Sequence, residues 1–115
     1  MEVKLRTVYN RLGREINLED MLEIGEGWKP ILRNLYDQLV DLGWDRVVLQ
    51  IKQKFAGLRF YVYSLNDEQR ELVDKAVALC DVTCETCGEL GTLYNRQGWY
   101  VIACKKHAKP LPRDW

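Results

Sequence analysis

The stretch RVVLQIKQKFAGLRFYVYS, residues 46–64, decides the fold that this chain is expected to adopt. Apolar and polar residues alternate on both sides of Ala56-Gly57, which is typical of two antiparallel strands joined by a tight turn. Gly57 is able to adopt the positive φ that such a turn requires. The sequence therefore predicts a β-hairpin that turns at Ala56-Gly57, with Phe55 opposite Leu58.

The predicted register sorts the hairpin side chains onto two faces. It pairs Ile51 with Val62 and Lys54 with Arg59, although a bulged turn that shifts the pairing by one is an alternative. One face is apolar and is expected to be buried: Val47, Leu49, Ile51, Phe55, Leu58, Phe60 and Val62. The other face is polar and aromatic: Gln50, Lys52, Lys54, Arg59, Tyr61 and Tyr63.

Two amphipathic helices are predicted on either side of this hairpin. The first begins near Pro30, which suits a first helical turn, and stops at Gly43. The second begins after Asn66, where Gln69 completes a capping box. Because helices and a hairpin alternate along the chain, we expect an α+β fold in which helices cover one face of a small antiparallel sheet.

The N-terminal residues and the domain boundary complete the predicted organisation. The alternation of residues 3–9 predicts a strand, and Asn17 is expected to cap a short helix that ends at Gly25. Residues 1–82 are predicted to form the α+β core, and residues 83–115 a metal-binding segment packed on it.

Charge and hydropathy limit the class of protein. The 17 Lys and Arg residues balance the 17 Asp and Glu residues, so the net charge gives no general attraction to nucleic acid or membrane. No apolar run approaches the roughly 18 to 20 residues that cross a bilayer, and the N-terminus lacks a signal-peptide core. We therefore expect a soluble, cytoplasmic protein that does not contact a membrane.

Residues 84–107, CETCGELGTLYNRQGWYVIACKKH, have the spacing of a metal site. A C-x2-C pair, Cys84 and Cys87, precedes a C-x2-H pair, Cys104 and His107. In a reducing compartment this spacing favours metal ligation over disulfide bonds. Because thiolate sulfur and imidazole nitrogen are the usual ligands of tetrahedral zinc, one structural Zn²⁺ per chain is predicted.

The metal-binding segment resembles a treble-clef zinc finger over residues 84–109. A knuckle that turns at Gly88 is followed by two short strands around residues 95–98. Cys104 and His107, three positions apart, then lie on one side of the first turn of a short helix.

A structural role for the metal is favoured over a catalytic one. Four protein ligands close the shell, whereas catalytic zinc keeps one position open for water. His107 is the single histidine of the chain, so no second imidazole remains as a base and no enzyme activity is expected. Cys80 has two open interpretations, a buried core residue or an alternative ligand.

The polar hairpin face and the C-terminus are the candidate contact surfaces. The hairpin cations lie beside aromatic rings, a combination that tracks phosphates and stacks bases in nucleic-acid-binding proteins. Carboxylates of the following helix are an alternative, internal partner for these cations, and a partner protein is a third. The candidate partner-binding residues are Lys52, Lys54, Arg59, Tyr61, Tyr63, Lys105, Lys106 and Trp115. A terminal tryptophan would suit contact with a partner or with a second copy of the chain.

Residues 50–64 and residues 84–107 together resemble a family of small bacterial and phage zinc-binding proteins. That family pairs an IKEKFGxLRFY hairpin with a CxxCGxxGxLxxxxGWxxxxCxxH segment. The chain departs from it with Gln53 where the family often has an acidic residue and with Ala56 where it often has glycine. The resemblance implies a zinc site and a phage or prophage setting, but it assigns no activity.

These observations together favour a non-enzymatic, zinc-stabilised interaction module that binds a partner protein as an inhibitor or adaptor. The role is an analogy with other small stapled domains in that setting. The alternative is a nucleic-acid-binding accessory protein that uses the basic and aromatic hairpin face together with Lys105 and Lys106.

Overall fold

The computed structural model describes residues 6–96 and 98–108. Short strands and helices follow one another in this order: β1 (Thr7–Tyr9), β2 (Glu15–Asn17), α1 (Leu18–Met21), β3 (Leu22–Glu23), α2 (Lys29–Asp41), β4 (Val48–Lys54), β5 (Gly57–Val62), α3 (Asp67–Cys80), β6 (Thr92–Arg96) and β7 (Trp99–Ala103). A 3-10 turn, Glu26–Trp28, leads into α2. This mixture of helices and small sheets confirms the predicted α+β fold.

Strand β4 is the centre of a three-stranded sheet with the order β3-β4-β5. Strand β5 is antiparallel to β4, as predicted, whereas β3 runs parallel to β4 and pairs Leu22 with Ile51. The predicted helix to Gly25 is therefore wrong beyond Met21, where α1 ends. It ends there because Leu22 extends into the sheet and is buried beside Ile51.

The first strand belongs to a separate two-stranded sheet. Strands β1 and β2 are antiparallel and pair Val8 with Ile16, and β2 was not predicted. The part of the predicted strand before residue 6 lies outside the described residues.

The turn of the β4–β5 hairpin lies one residue earlier than predicted. Phe55 and Ala56 form it with φ of 52° and 64°, and Gly57 is already paired with Lys54. Positive φ at both central residues is the arrangement of a type I′ turn, which matches the twist of a hairpin. The left-handed conformation thus falls on two non-glycine residues, at a cost of about 1–2 kcal/mol each.

The register of the hairpin moves with its turn, so the predicted pairing is wrong. The observed pairs are Gln53 with Leu58, Lys52 with Arg59 and Ile51 with Phe60. Because each partner changes by two positions, the alternation of faces is kept. The shift also places Ala56 in the core, with 3% of its surface exposed.

A β-bulge in β4 changes which side chains face the core near Leu49, so the apolar face differs there from the prediction. The pairing is irregular between Val48 and Gln50. Val48 turns into the core with 1% exposure, and Leu49 turns outwards with 47% exposure. Phe55, at the turn, is also exposed. The predicted burial of Leu49 and Phe55 is wrong because a bulge and a turn interrupt the alternation.

Helices α2 and α3 pack on each other, and α3 also contacts β5. Pro30 lies in the first turn of α2, and Asn66 and Gln69 form the predicted capping box of α3. The core contains these fully buried residues: Val8, Leu18, Trp28, Leu32, Leu35, Leu39, Val48, Ile51 and Cys80. Among the described residues, no helix has the length and apolar character to span a membrane.

Candidate metal centre

The first ligand pair lies in a tight knuckle between α3 and β6. The N–H of Gly88 donates to the carbonyl of Cys84 at 2.9 Å, and the N–H of Cys84 donates to the carbonyl of Glu89 at 2.7 Å. Gly88 has φ of +86°, which glycine adopts without the steric cost of a side chain. The knuckle therefore brings Cys84 and Cys87 to one side of the turn.

The second ligand pair follows the β6–β7 hairpin, which was predicted. Strand β7 ends opposite the start of β6, where Ala103 pairs with Thr92. Cys104 comes directly afterwards, and the N–H of His107 donates to its carbonyl at 3.1 Å. The residues between them form a turn instead of the predicted helix start, and residues beyond 108 lie outside the description.

The four predicted ligands converge. Their ligand atoms all lie within 4.8 Å of one another. Cys87 Sγ is 3.7 Å from Cys104 Sγ, and Cys84 Sγ and Cys104 Sγ are 3.6 and 3.2 Å from Nδ1 of His107. Sulfurs that lie about 2.3 Å from a tetrahedral ion are about 3.8 Å from each other, and a sulfur and a nitrogen about 3.5 Å apart. The cluster can therefore hold one metal ion, with Nδ1 as the histidine ligand.

Backbone N–H groups stabilise the negatively charged thiolate form of Cys84. The residue is fully buried, and burial raises its pKa. The N–H groups of Cys104, Cys87 and Thr86 point at the sulfur and lower the pKa to about 6 overall. At Cys87 the N–H of Glu89 lowers the pKa, but burial and the neighbouring sulfurs raise it above its ordinary value overall. A metal cation would relieve this crowding of sulfur charge.

Cys80 is a core residue and not a ligand. It is fully buried among the apolar side chains of the core, and burial raises the pKa of its thiol to about 12. It lies outside the cluster of metal-ligating side chains. Of the two interpretations that the sequence left open, core packing is therefore confirmed.

The loop of residues 25–27, which forms a seat for the knuckle, packs directly against its backbone. The N–H of Gly27 donates to the carbonyl of Glu85 at 2.8 Å, and the N–H of Gly25 donates to Oε2 of Glu85 at 3.0 Å. A Cβ on Gly27 would lie 2.2 Å from the carbonyl oxygen of Cys84, and one on Gly25 would lie 2.3 Å from that of Glu85. Both contacts are with backbone, so only glycine fits at these positions.

Trp28 ties this seat to the core. It is fully buried, and its Nε1–H donates to the carbonyl of Thr83, directly before the knuckle, at 2.8 Å. The sequence prediction did not include Gly25, Gly27 or Trp28 in the metal centre. The signal for them is a pair of glycines two residues apart before a tryptophan, since glycine often marks a close approach of two backbones.

The predicted partner-binding residues of the β4–β5 hairpin are distant from the metal ligands in the sequence and lie mostly on exposed positions. Tyr61, Tyr63 and Lys54 are exposed, and Lys52 and Arg59, directly opposite each other, are half-buried. The ion pairs among residues 6–96 and 98–108 are Arg6 with Asp37, Lys29 with Glu26 and Arg33 with Glu19. Within that part of the chain, α3 therefore supplies no ion pair to the hairpin cations.

The remaining candidates lie near the C-terminus. Lys105 and Lys106 are exposed in the turn between Cys104 and His107. Trp115 lies outside the described residues.

No protein-family model, curated protein or solved structure matches this chain. Its function must therefore be inferred from the Cys/His cluster and from the exposed surfaces.

Proposed function

We propose that Cys84, Cys87, Cys104 and His107 hold one structural zinc ion per chain. Three thiolates and one imidazole, spaced for a tetrahedron, are the donor set and geometry that zinc prefers. Four protein ligands leave no open position for a water molecule, which favours a structural role over catalysis. The single histidine of the chain is one of the ligands, so it is not available as a general base.

The protein acts, in this proposal, as a non-enzymatic module that binds a partner protein. The observation that carries the proposal is the exposed face of β4 and β5, which combines tyrosines with cations that have no ion pair among the described residues. Tyrosine and arginine are enriched at protein interfaces because they combine a large contact area with polar groups. A cytoplasmic location and a phage or prophage setting, in which the module inhibits or recruits a host protein, belong to the same proposal.

A nucleic-acid-binding accessory protein is the second candidate. Lys52 lies directly opposite Arg59, a like-charge pair that an anionic phosphate would relieve. The exposed rings of Tyr61 and Tyr63 would stack on bases. The balanced total charge of the chain weighs against this candidate, because affinity for nucleic acid depends strongly on a positive field.

The metal content of the purified protein tests the zinc proposal. We expect one zinc ion per chain in the unmodified protein. Cys80→Ala, which changes a buried thiol outside the cluster, should retain it, and Cys104→Ser should lose it. A protein without zinc, or equal loss of zinc from the two variants, contradicts the proposal.

A pull-down from bacterial lysate, with and without nuclease, tests the binding role. We expect a protein to be retained by the tagged chain in both arms, less by Lys54→Glu and equally by the control Lys75→Glu, which makes the same charge change on an exposed part of α3. Retention that disappears with nuclease and weakens steeply with salt would replace the first candidate by the second.

A further inference from the structure

The exposed side of β4 and β5 carries two adjacent clefts. The first, of about 480 Å³, lies between the β1–β2 turn and β4. The second, of about 340 Å³, lies between β5 and the beginning of α3. Leu49 and Tyr61 line both clefts. Ligand pockets in proteins have volumes of roughly 300–1,000 Å³, so each cleft is large enough to receive an apolar side chain.

The β-bulge of β4 forms the wall between the clefts. It turns Leu49 outwards next to Tyr61 of β5, and about half of each side chain is exposed. Because burial of a leucine stabilises a fold, the outward position of Leu49 contributes less to the stability of the free protein than a buried position would. Bulges often redirect a side chain next to a functional site. The exposure of Leu49 thus results from the β-bulge in the backbone of β4.

The β1–β2 turn forms the far wall of the first cleft. The side-chain oxygen of Asn10 accepts from the N–H groups of Leu12 and Arg14 at 2.9 and 3.0 Å, and its carbonyl accepts from the N–H of Gly13 at 2.9 Å. These bonds hold Arg11 and Leu12 at the cleft, with 87% of Leu12 exposed. The cleft is therefore apolar on both sides and has a cation at its rim.

Among the described residues, the charged side chains that line the two clefts have one sign. The charged residues that line them are Arg11 in the first and Arg70 in the second. Among residues 6–96 and 98–108, no Asp or Glu lines either cleft and neither arginine forms an ion pair. Because a guanidinium binds carboxylates through paired N–H groups, this surface complements an acidic ligand with apolar side chains.

We propose that the two clefts bind a short acidic segment of a partner protein, with one apolar side chain in each cleft and carboxylates near Arg11 and Arg70. This inference depends on the proposed role of the chain as a protein-binding module, and it adds the place and the chemistry of the bound segment. The contact is centred on Leu49 and Tyr61, and it shares Tyr61 and Tyr63, which lines the second cleft, with the predicted partner-binding set.

A protein segment fits these clefts better than a nucleic acid does. Nucleic acids require a stripe of cations that follows successive phosphates. Here the two arginines are separated by apolar side chains, which favour an ordered peptide with apolar anchors.

Selection from a displayed library of random short peptides tests the proposal with the full-length, zinc-loaded protein. We expect the enriched peptides to carry apolar residues among Asp and Glu. Binding of the best of them should weaken about tenfold with Arg11→Glu and with Leu12→Ser, as for a residue central to an interface. Both changes are at exposed positions of a turn, so the fold should be kept. Lys75→Glu is the matched control and should leave the affinity unchanged.

The other outcomes separate this inference from the proposed function. Enriched peptides without acidic residues, or peptides that bind Arg11→Glu and Leu12→Ser as tightly as the unmodified protein, overturn the cleft assignment. If a lysate protein is nevertheless retained by the chain and lost from Lys54→Glu, the binding role stands and its surface is the hairpin cations. Displacement of the peptides by single-stranded DNA or RNA, with no selectivity for acidic sequences, overturns the inference in favour of nucleic acid.

Discussion

The two hairpins of the protein are held in place by different interactions. The β4–β5 hairpin places Val48, Ile51 and Leu58 in the hydrophobic core, together with buried side chains of α2 and α3. The β6–β7 hairpin contributes Ile102 to that core, among the side chains that the structure describes. It is otherwise held at its ends, by the knuckle and by the Cys/His cluster. The first hairpin therefore depends on apolar burial, and the second would depend on ligation in the proposed metal-loaded protein.

This difference explains how the two-stranded β6–β7 sheet can be stable although it contributes few residues to the hydrophobic core. Apolar burial stabilises an element in proportion to the area removed from water, and a small hairpin at the periphery of a domain removes little. The proposed bound ion would replace that contribution because the unfolded chain has no preformed site.

Removal of the metal should destabilise the metal centre beside the β6–β7 hairpin and leave the helical core folded. With a chelator, we expect the amides of Cys84 and Glu85, which donate to Glu89 and Ile102, to exchange with solvent at least about a hundredfold faster, because the ligation that closes the knuckle is lost. The amide of Trp44, which donates to Leu39 at the end of α2, should keep most of its protection. Hydrogen exchange measured by NMR distinguishes the two sets.

The comparison fails if both sets of amides lose protection together. That result would mean that the helical core is not stable without the ion and that the protein unfolds as one unit.

Gly27→Ala should weaken the contact between the Gly25–Gly27 loop and the knuckle without replacing a ligand side chain. Its Cβ would lie 2.2 Å from the carbonyl oxygen of Cys84 and 2.5 Å from the backbone nitrogen of Gly88, so the knuckle must move. We expect a loss of about 3 kcal/mol in the free energy of unfolding, measured with denaturant, and a weaker affinity for the metal.

Gly57→Ala is the matched control, because the nearest atom to its added Cβ would be 3.5 Å away. An equal loss of stability in the two variants would mean that the contact between Gly27 and the knuckle has no special importance.

Phe55→Asn should give the smallest effect and raise stability. Asparagine tolerates the left-handed conformation that Phe55 adopts at φ 52°, so up to about 1 kcal/mol should be recovered. Phe55 also makes an edge-to-face contact with Tyr100 of the second hairpin, with ring centroids 6.5 Å apart. Phe55→Leu, which loses that contact and keeps the left-handed conformation, should lower stability by about 0.5–1.5 kcal/mol. A destabilising Phe55→Asn in thermal unfolding would show that the contact between the hairpins outweighs the strain.

Local chemistry accounts for the features that the sequence predicted correctly. The spacing of Cys84 and Cys87 specifies a knuckle by itself, and the exchange of hydrogen bonds between Asn66 and Gln69 involves one helical turn. Each of these features is decided within a few residues, so no knowledge of the rest of the chain is required.

Features decided by tertiary packing were predicted less well. The hairpin could turn at Ala56-Gly57 or at Phe55-Ala56. The conformational freedom of glycine favoured the first turn, but the structure has the second, which buries Ala56 in the core. The bulge that exposes Leu49 has no local signal in an otherwise regular alternation. The approach of Gly27 to Cys84 joins residues 57 positions apart in the sequence, which a single sequence does not reveal.

The burial of Cys80 gives the protein an internal reference for alkylation. Only the thiolate reacts with reagents such as maleimides, and the thiol of Cys80, fully buried and with a pKa of about 12, is protected wherever the core is folded. In the proposed metal-loaded protein, Cys84, Cys87 and Cys104 would become reactive once the ion leaves. The mass of the alkylated protein would thus distinguish three states: no label for the loaded fold, three labels after loss of the metal, and a fourth when the core opens.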